Sequence, residues 1–250
     1  GAGKAVYLPV GCDPAVHAPA TLTAEEKARW GSQVSFLGAG FNNRVQMFAG
    51  LARRDFKIWG TEWPSLPPFD RMGQEGGRRI DPAEYVKIFN SSAVNLNLHS
   101  SMERDGIEPN GDFVNPRTFE LAACGAFQLT DRRTLLPEMF DYENELATFS
   151  TPKEMEDGID YYLAHPEKRI AMANRARERA LRDHTYTKRL EAMLGVIYAD
   201  RSNELKSRAE AGPWPKTLSR AKSHPDLYER YRKVYARGME PKLEELIADI

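Results

Sequence analysis

Short apolar runs that end at glycine recur through the first 150 residues of the chain, and stretches with helical spacing separate them. Val34-Ser-Phe-Leu-Gly is such a run, of the kind buried in a parallel sheet. It leads through Gly-Phe-Asn-Asn into apolar positions at Val45, Phe48, Ala49 and Ala52, the spacing of one helix face. Phe56-Lys-Ile-Trp-Gly predicts a second strand, and Trp63 to Gly77, rich in proline and glycine, reads as a loop. Asp81-Pro82 supplies an N-cap and a proline at the first helical position, opening a helix through Tyr85, Ile88 and Phe89. In Ala93-Val-Asn-Leu-Asn-Leu-His, Val94, Leu96 and Leu98 alternate with Asn95, Asn97 and His99, which predicts a strand.

Ser100 to Gly111 is a polar loop with Asp-Gly and Pro-Asn-Gly turn signals. A helix is expected from about Pro116 to Cys124, stopped by Gly125, and Ala126-Phe-Gln-Leu-Thr-Asp is the next strand. A short strand near Ala147 to Phe149 precedes Thr151-Pro152, which opens helical sequence that continues to about Lys206, with breaks at His165-Pro166 and His184-Thr185. Strands alternating with helices predict an α/β fold with a parallel, doubly wound, Rossmann-like sheet over residues 21–206. From Ser207 to Ile250 a breaker at Pro213-Trp-Pro is followed by two amphipathic helices, with Leu227, Tyr231 and Val234 on one face. This C-terminal extension is expected to pack on the domain, on another domain or on a second copy.

Bulk properties narrow the classes. A chain of 250 residues with 41% hydrophobic content supports one globular domain with appendages. A formal net charge of −1 gives no general field for nucleic acid or an anionic membrane. Cys12 and Cys124 stand far apart, so buried thiols in a reducing cytoplasm are expected, not a disulfide framework or a zinc site. No run approaches the roughly 20 apolar residues needed to span a bilayer, and a soluble, cytoplasmic protein is expected. The start at Gly-Ala-Gly-Lys, without Met and running at once into strand-like Ala-Val-Tyr-Leu-Pro-Val, points to a piece of a longer protein.

In an open α/β sheet, ligands bind at the carboxyl ends of the strands, and three polar groups fall there. Gly38-Ala-Gly-Phe-Asn-Asn-Arg44 offers two glycines, a helix start and a fixed positive charge, although Asn43 stands where a dinucleotide fingerprint has its third glycine. Gly111-Asp-Phe-Val-Asn-Pro-Arg-Thr-Phe-Glu places Asp112 in a loop, Asn115 as N-cap, Arg117 in the first turn and Glu120 one turn beyond Pro116. A carboxylate in that position can accept two hydrogen bonds from a vicinal diol such as a ribose. The face of Asn95, Asn97 and His99 fits sheet hydrogen bonding better than catalysis.

Phe36-Leu-Gly with Asn-Asn-Arg, Ile58-Trp-Gly, Ala93-Val-Asn-Leu-Asn, Asn115-Pro-Arg-Thr-Phe-Glu-Leu-Ala-Ala-Cys-Gly-Ala-Phe-Gln-Leu-Thr-Asp131 and His184-Thr-Tyr together resemble the C-terminal domain of CgeB-like glycosyltransferases of GT-B architecture, from about Val6 to Leu194. The resemblance implies that residues 1–20 are the hinge strand and loop entering this domain. It also implies an acceptor domain on the N-terminal side, holding the acceptor and any general base. Glu120 then matches the ribose-binding glutamate of the family's Glu-x7-Glu motif. Asp112 takes the place of its first acidic residue, one methylene shorter.

Arg44 and Arg117 become candidates for the diphosphate and, with Asp112, the residues nearest the chemistry. The implied donor-binding set is Gly38, Gly40, Asn42, Asn43, Arg44, Trp59, Gly60, Asn97, Asp112, Asn115, Arg117 and Glu120. The implied substrate is a nucleotide diphosphate sugar, a UDP-sugar in the first instance, with no other cofactor. The lack of Asp-x-Asp agrees with a metal-independent transferase, in which arginine and a helix N-terminus stabilise the leaving group. Two alternatives remain open on the residues: a non-catalytic nucleotide-binding or protein-interaction module, and a sugar-nucleotide epimerase.

Overall fold

The structure is a computed structural model that describes residues 5–100, 113–212 and 214–237. In chain order it contains α1 (Ala24–Trp30), β1 (Ser32–Leu37), α2 (Asn42–Phe48), β2 (Phe56–Trp59), α3 (Phe69–Met72), α4 (Pro82–Ser91), β3 (Ser92–Asn97), α5 (Pro116–Ala123), β4 (Gln128–Asp131), β5 (Ala147–Phe149), α6 (Pro152–Ala164), α7 (Pro166–Asp183), α8 (Tyr186–Ala211), α9 (Trp214–Ala221) and α10 (Pro225–Ala236). The five strands form one sheet in the order β2-β1-β3-β4-β5, every pair parallel. The order reverses direction at β1, so the crevice beyond the carboxyl ends of β1 and β3 is a topological switch point.

The predicted helix starts are built as the residue types dictate. Asn115 caps α5 by accepting from Thr118 N–H (3.1 Å), and Thr151 caps α6 by accepting from Glu154 N–H (3.1 Å). Asp81 precedes Pro82 at the start of α4, and the Glu84 carboxylate accepts from Asp81 N–H at 3.3 Å. Thr23 and Glu26 form a full capping box on α1.

The two faces of the sheet are held by different chemistry. Val34, Phe36, Ile58, Val94, Leu96, Leu129 and Phe149 pack with Phe48 and Leu51 and with Met155 and Ile159 of α6 in one apolar cluster. The alternate residues are polar and buried: Ser35, Asn95, Asn97, Gln128 and Thr130. Ser35 Oγ donates to Asn95 Oδ1 (2.9 Å), and the Asn95 amide donates to the Phe89 carbonyl at the end of α4 (3.2 Å). Asn97 Nδ2 donates to Thr118 Oγ1 (3.0 Å) and Gln128 Oε1 (3.1 Å), and Gln128 Nε2 donates to the Thr118 carbonyl (2.9 Å). Each such bond contributes only about 0.5–1.5 kcal/mol net, but a wrong register would orphan several buried groups at about 1–3 kcal/mol each. The polar layer therefore fixes register and seats α4 and α5 on the sheet.

The segment at Cys12 is tied to the junction between α7 and α8. Cys12 and Thr185 form a parallel bridge, with Cys12 N–H donating to His184 O and Tyr186 N–H to Cys12 O, both 2.9 Å. Cys12 and Cys124 are buried free thiols whose ionisation burial pushes up to about 11 and about 12. His184 Nε2 donates to Met139 O (2.8 Å), and its Nδ1 accepts from Arg189 Nη2 (2.7 Å), an arrangement only the neutral ring can make. Burial lowers its pKa below the ordinary 6.5, and burial lowers that of His17 as well. Below pH 6.5 the unfolded chain thus binds more protons than the folded one, so stability present above 6.5 declines as pH falls. Melting temperature is expected to drop between pH 7 and pH 5, and His184→Gln, which keeps a donor towards Met139, is expected to flatten that slope.

Two compact units divide at Leu190 and Glu191, inside α8 and earlier than the boundary at 206–207 expected from the sequence. In the second unit α9 and α10 pack on each other through Trp214, Leu218, Tyr231 and Val234. Leu227, expected on the same face, is 40% exposed and lies outside that cluster. Among the described residues no helix is long and apolar enough to cross a membrane.

Candidate functional site

The glycines at the carboxyl ends of β1 and β2 let two turns press together. Gly40 N–H donates to Thr61 O and Trp63 Nε1 donates to Gly38 O, both at 2.9 Å. A Cβ at Gly40 would meet Glu62 O at 2.5 Å, and one at Gly60 would meet Gly38 O at 2.6 Å, with φ of Gly60 at +118°. The sequence reading gave Gly38 and Gly40 the task of admitting an anion. In the structure the room at Gly40 and Gly60 is filled by backbone, and at Gly38 by Phe36 and Arg44. Gly60→Ala is expected to cost about 1–3 kcal/mol from backbone conformation, before the clash is counted. A chemical denaturation midpoint equal to the wild type would contradict this.

Arg44 is buried, and its donors point inward. Nε and Nη2 donate to Leu98 O (3.0 and 2.8 Å), Nη1 donates to Ala39 O (3.0 Å), and the guanidinium lies over Phe36 and Phe41. Burial pulls its pKa down to about 10. Arg44 therefore clamps the end of β3 to the turn after β1, in place of the open diphosphate contact expected of it. Asn43 is also buried and donates to His99 O at 2.9 Å, while α2, which begins at Asn42, has no side-chain cap. Trp59 packs in the interior with Trp30, Ile80 and Ile88, and Asn97 sits in the polar layer under α5. Arg44, Asn43, Trp59 and Asn97 are thus all buried, whereas Asn42 is exposed. Asp112 lies outside the described residues.

Arg117 meets the cavity. A space of about 480 Å³ opens at the carboxyl ends of β1 and β2, lined by Leu37, Gly38, Ala39, Gly60, Thr61, Arg79, Ile80, Asp81, Pro82, Tyr85 and Arg117. The Arg117 guanidinium stands 4.9 Å from the Tyr85 ring centre and 5.1 Å from that of Phe89. Its Nη1 donates to Glu120 Oε2 at 2.5 Å, so Glu120 stands one helical turn behind the cavity wall, bonded to a residue of that wall. Among the described residues no hydrogen bond reaches Glu120 Oε1, and His17 Nε2 lies 4.0 Å from it. Asn115, the cap of α5, is buried, and its Nδ2 donates to Asn97 Oδ1 at 2.8 Å.

His17 belongs to the same cluster and escaped the sequence reading. Asp13 N–H donates to its Nδ1 (3.0 Å), so Nε2 carries the proton and donates to the Tyr85 hydroxyl (2.7 Å). Burial raises the Tyr85 hydroxyl to about 12, with the Glu120 charge acting in the same direction, and keeps it a neutral hydrogen-bonding group. Burial likewise lowers the Arg117 pKa, and the Glu120 charge opposes that shift. Of the residues that the sequence proposed for the site, Gly38, Gly60 and Arg117 line this opening, and Glu120 is bonded to Arg117. The sequence missed Arg79, Ile80 and Tyr85, whose only signal was the loop-to-helix junction at Asp81-Pro82.

The cavity offers an aromatic wall and a part-buried arginine from the first turn of α5, with the Glu120 carboxylate bonded to that arginine. Among the described residues no cluster of His, Cys, Asp or Glu could hold a metal ion. The arrangement suits an anionic ligand that also carries hydroxyls.

Known proteins agree with this architecture. The spore protein CgeB of Bacillus subtilis is 25% identical over 148 residues, covering 55% of this chain and 45% of CgeB. Sucrose-phosphate synthase from Thermosynechococcus elongatus superposes with a TM-score of 0.59 at 15% identity, over 80% of this chain and 53% of the synthase. Anabaena HepE, solved with UDP and glucose, gives a TM-score of 0.57 at 9% identity, over 76% of this chain and 55% of HepE. The chain thus spans about half the length of these proteins, and its fold is that of one Rossmann-like half of a GT-B architecture. The C-terminal domain of a group 1 glycosyl transferase (LpcC) from Francisella tularensis is covered over its full length, with a TM-score of 0.51 at 12% identity. The profile of the Glycosyl transferase-like family matches residues 44–195, more than half of the chain, and this protein therefore belongs to that family.

Proposed function

We propose that this chain is the donor-binding half of a glycosyltransferase, holding a nucleotide diphosphate sugar for transfer to an acceptor carried by an N-terminal domain. The observation that carries the reading is the cavity of about 480 Å³ at the carboxyl ends of β1 and β2, with Arg117 from the first turn of α5 at one side. Its size suits a nucleotide, since small-molecule sites run from about 300 to 1,000 Å³. The nucleoside lies among Gly60, Ile80 and Tyr85, its ribose diol reaches the open oxygen of Glu120, and its diphosphate faces Arg117 and the N-terminus of α5. On transfer, negative charge builds on the departing nucleoside diphosphate, and the arginine and the helix dipole stabilise it without a metal.

UDP is the first donor nucleotide to test, because HepE was solved with UDP. Calorimetric titration with UDP, GDP and ADP, each with and without chelator, tests the reading. At least one is expected to bind with an affinity that chelator leaves unchanged and that falls with rising salt, because the contact is between charges. Binding that vanishes in chelator and returns with Mg²⁺ or Mn²⁺ would reject metal independence, and no binding of any nucleotide would reject the donor role.

A further inference from the structure

Behind α5 a chain of buried groups runs from the end of β4 to the helix cap. Arg133 Nε donates to Asp131 Oδ2 at 3.1 Å, and Asp131 Oδ1 accepts from the His99 backbone N–H (2.9 Å) and from its Nδ1 (2.6 Å). On the other side of the ring, Asn115 N–H donates to His99 Nε2 at 3.0 Å. His99 and Asp131 are fully buried, and Arg133 is 4% exposed. Because the backbone N–H can only donate, Nε2 must present its lone pair, and the ring proton must sit on Nδ1, facing the carboxylate. The buried Asp131 charge is matched by Arg133.

We infer that His99 is a positioning residue that sets where the N-terminus of α5 stands to receive the diphosphate, with Asp131 and Arg133 as its anchor. The geometry leaves the helix start little freedom. Asn115 is tied through its backbone N–H to His99 and through its side chain to Asn97 and Thr118, and Pro116 follows with a fixed φ. A rigid imidazole is thus the spacer between the sheet edge and the helix that carries Arg117 and Glu120. His99 itself touches no ligand, since it is fully buried. The diphosphate part of this inference rests on the donor-site reading above, while the tie between His99 and the helix start does not.

Two substitutions separate positioning from bulk. His99→Gln can keep an acceptor near the position of Nε2, towards Asn115. His99→Asn can keep a donor near Nδ1, towards Asp131, and loses that acceptor. Titrations of the 250-residue chain with UDP and with uridine, followed by NMR, are expected to show His99→Asn weakening UDP about tenfold and uridine less than about twofold. His99→Gln is expected to stay within about threefold of the wild type for UDP. Hydrogen exchange at the Asn115 amide is expected to speed up in His99→Asn alone.

A merely structural histidine would weaken UDP and uridine by the same factor, and that result, or unchanged UDP affinity in His99→Asn, would overturn the proposal. The wild type gives an answer even if a variant fails to fold. Its imidazole ¹⁵N shifts are expected to report a proton on Nδ1, and a proton on Nε2 would overturn the proposal. A wild type with no affinity for UDP would reject the donor reading and the diphosphate half of the inference, while the tautomer and the Asn115 amide would still decide the helix half.

Discussion

Glu120→Gln is expected to lower nucleoside diphosphate affinity by at least about tenfold, equivalent to roughly 1.4 kcal/mol. The carboxylate receives Arg117 on one oxygen and leaves the other for a diol. Glutamine keeps the shape but turns one acceptor into a donor, so with its oxygen held by Arg117 it offers the ribose a neutral N–H in place of a charged acceptor. A bond to a charged group contributes about 1.5–3 kcal/mol, so losing one accounts for the expected drop. Because the remaining amide oxygen can still accept from Arg117, the melting temperature should move less than affinity. Unchanged affinity with a large loss of stability would identify Glu120 as a structural partner of Arg117 and reject the ribose assignment.

Arg117→Met is expected to lower both quantities. It removes the guanidinium from the cavity wall and leaves the Glu120 carboxylate, 14% exposed, without its ion-pair partner. Breaking a fully buried pair costs about 3–5 kcal/mol, and the 24% exposure of Arg117 argues for a smaller value here, about 2–3 kcal/mol. Loss of the contact to phosphate should weaken UDP by about 10- to 100-fold, for a charged bond of about 1.5–3 kcal/mol. The double variant Arg117→Met with Glu120→Gln should be more stable than Arg117→Met alone, because no uncompensated carboxylate remains. If denaturant unfolding finds the double variant less stable, the pair is not what sets the cost.

Much of the fold could be read from residue types because the signals are local. Asp81-Pro82, Asn115-Pro116 and Thr151-Pro152 each opened a helix at the predicted residue, and the breaks at His165-Pro166 and His184-Thr185 fell between helices. The Thr23-x-x-Glu26 capping box that opens α1 was equally visible and went unread. The site was harder to read because its partners are distant in sequence. Arg44 looked like an anion ligand until its carbonyl acceptors appeared, one of them on Leu98, 54 residues away. His17 meets Tyr85 across 68 residues, and no spacing rule pairs them. Glycine spacing shows that room is needed but not what fills it, and here neighbouring backbone fills the room at Gly40 and Gly60.

A crystal structure of the chain with bound UDP tests the central claim most directly. The account predicts the nucleotide in the cavity between Gly60, Tyr85 and Arg117, with a ribose hydroxyl within hydrogen-bond distance of Glu120 and phosphate oxygens at Arg117 and the first turn of α5. UDP seated elsewhere, such as the neighbouring cavity bounded by Glu62, Trp63, Phe69 and Gly77, or held without contact to Arg117 or Glu120, would contradict it.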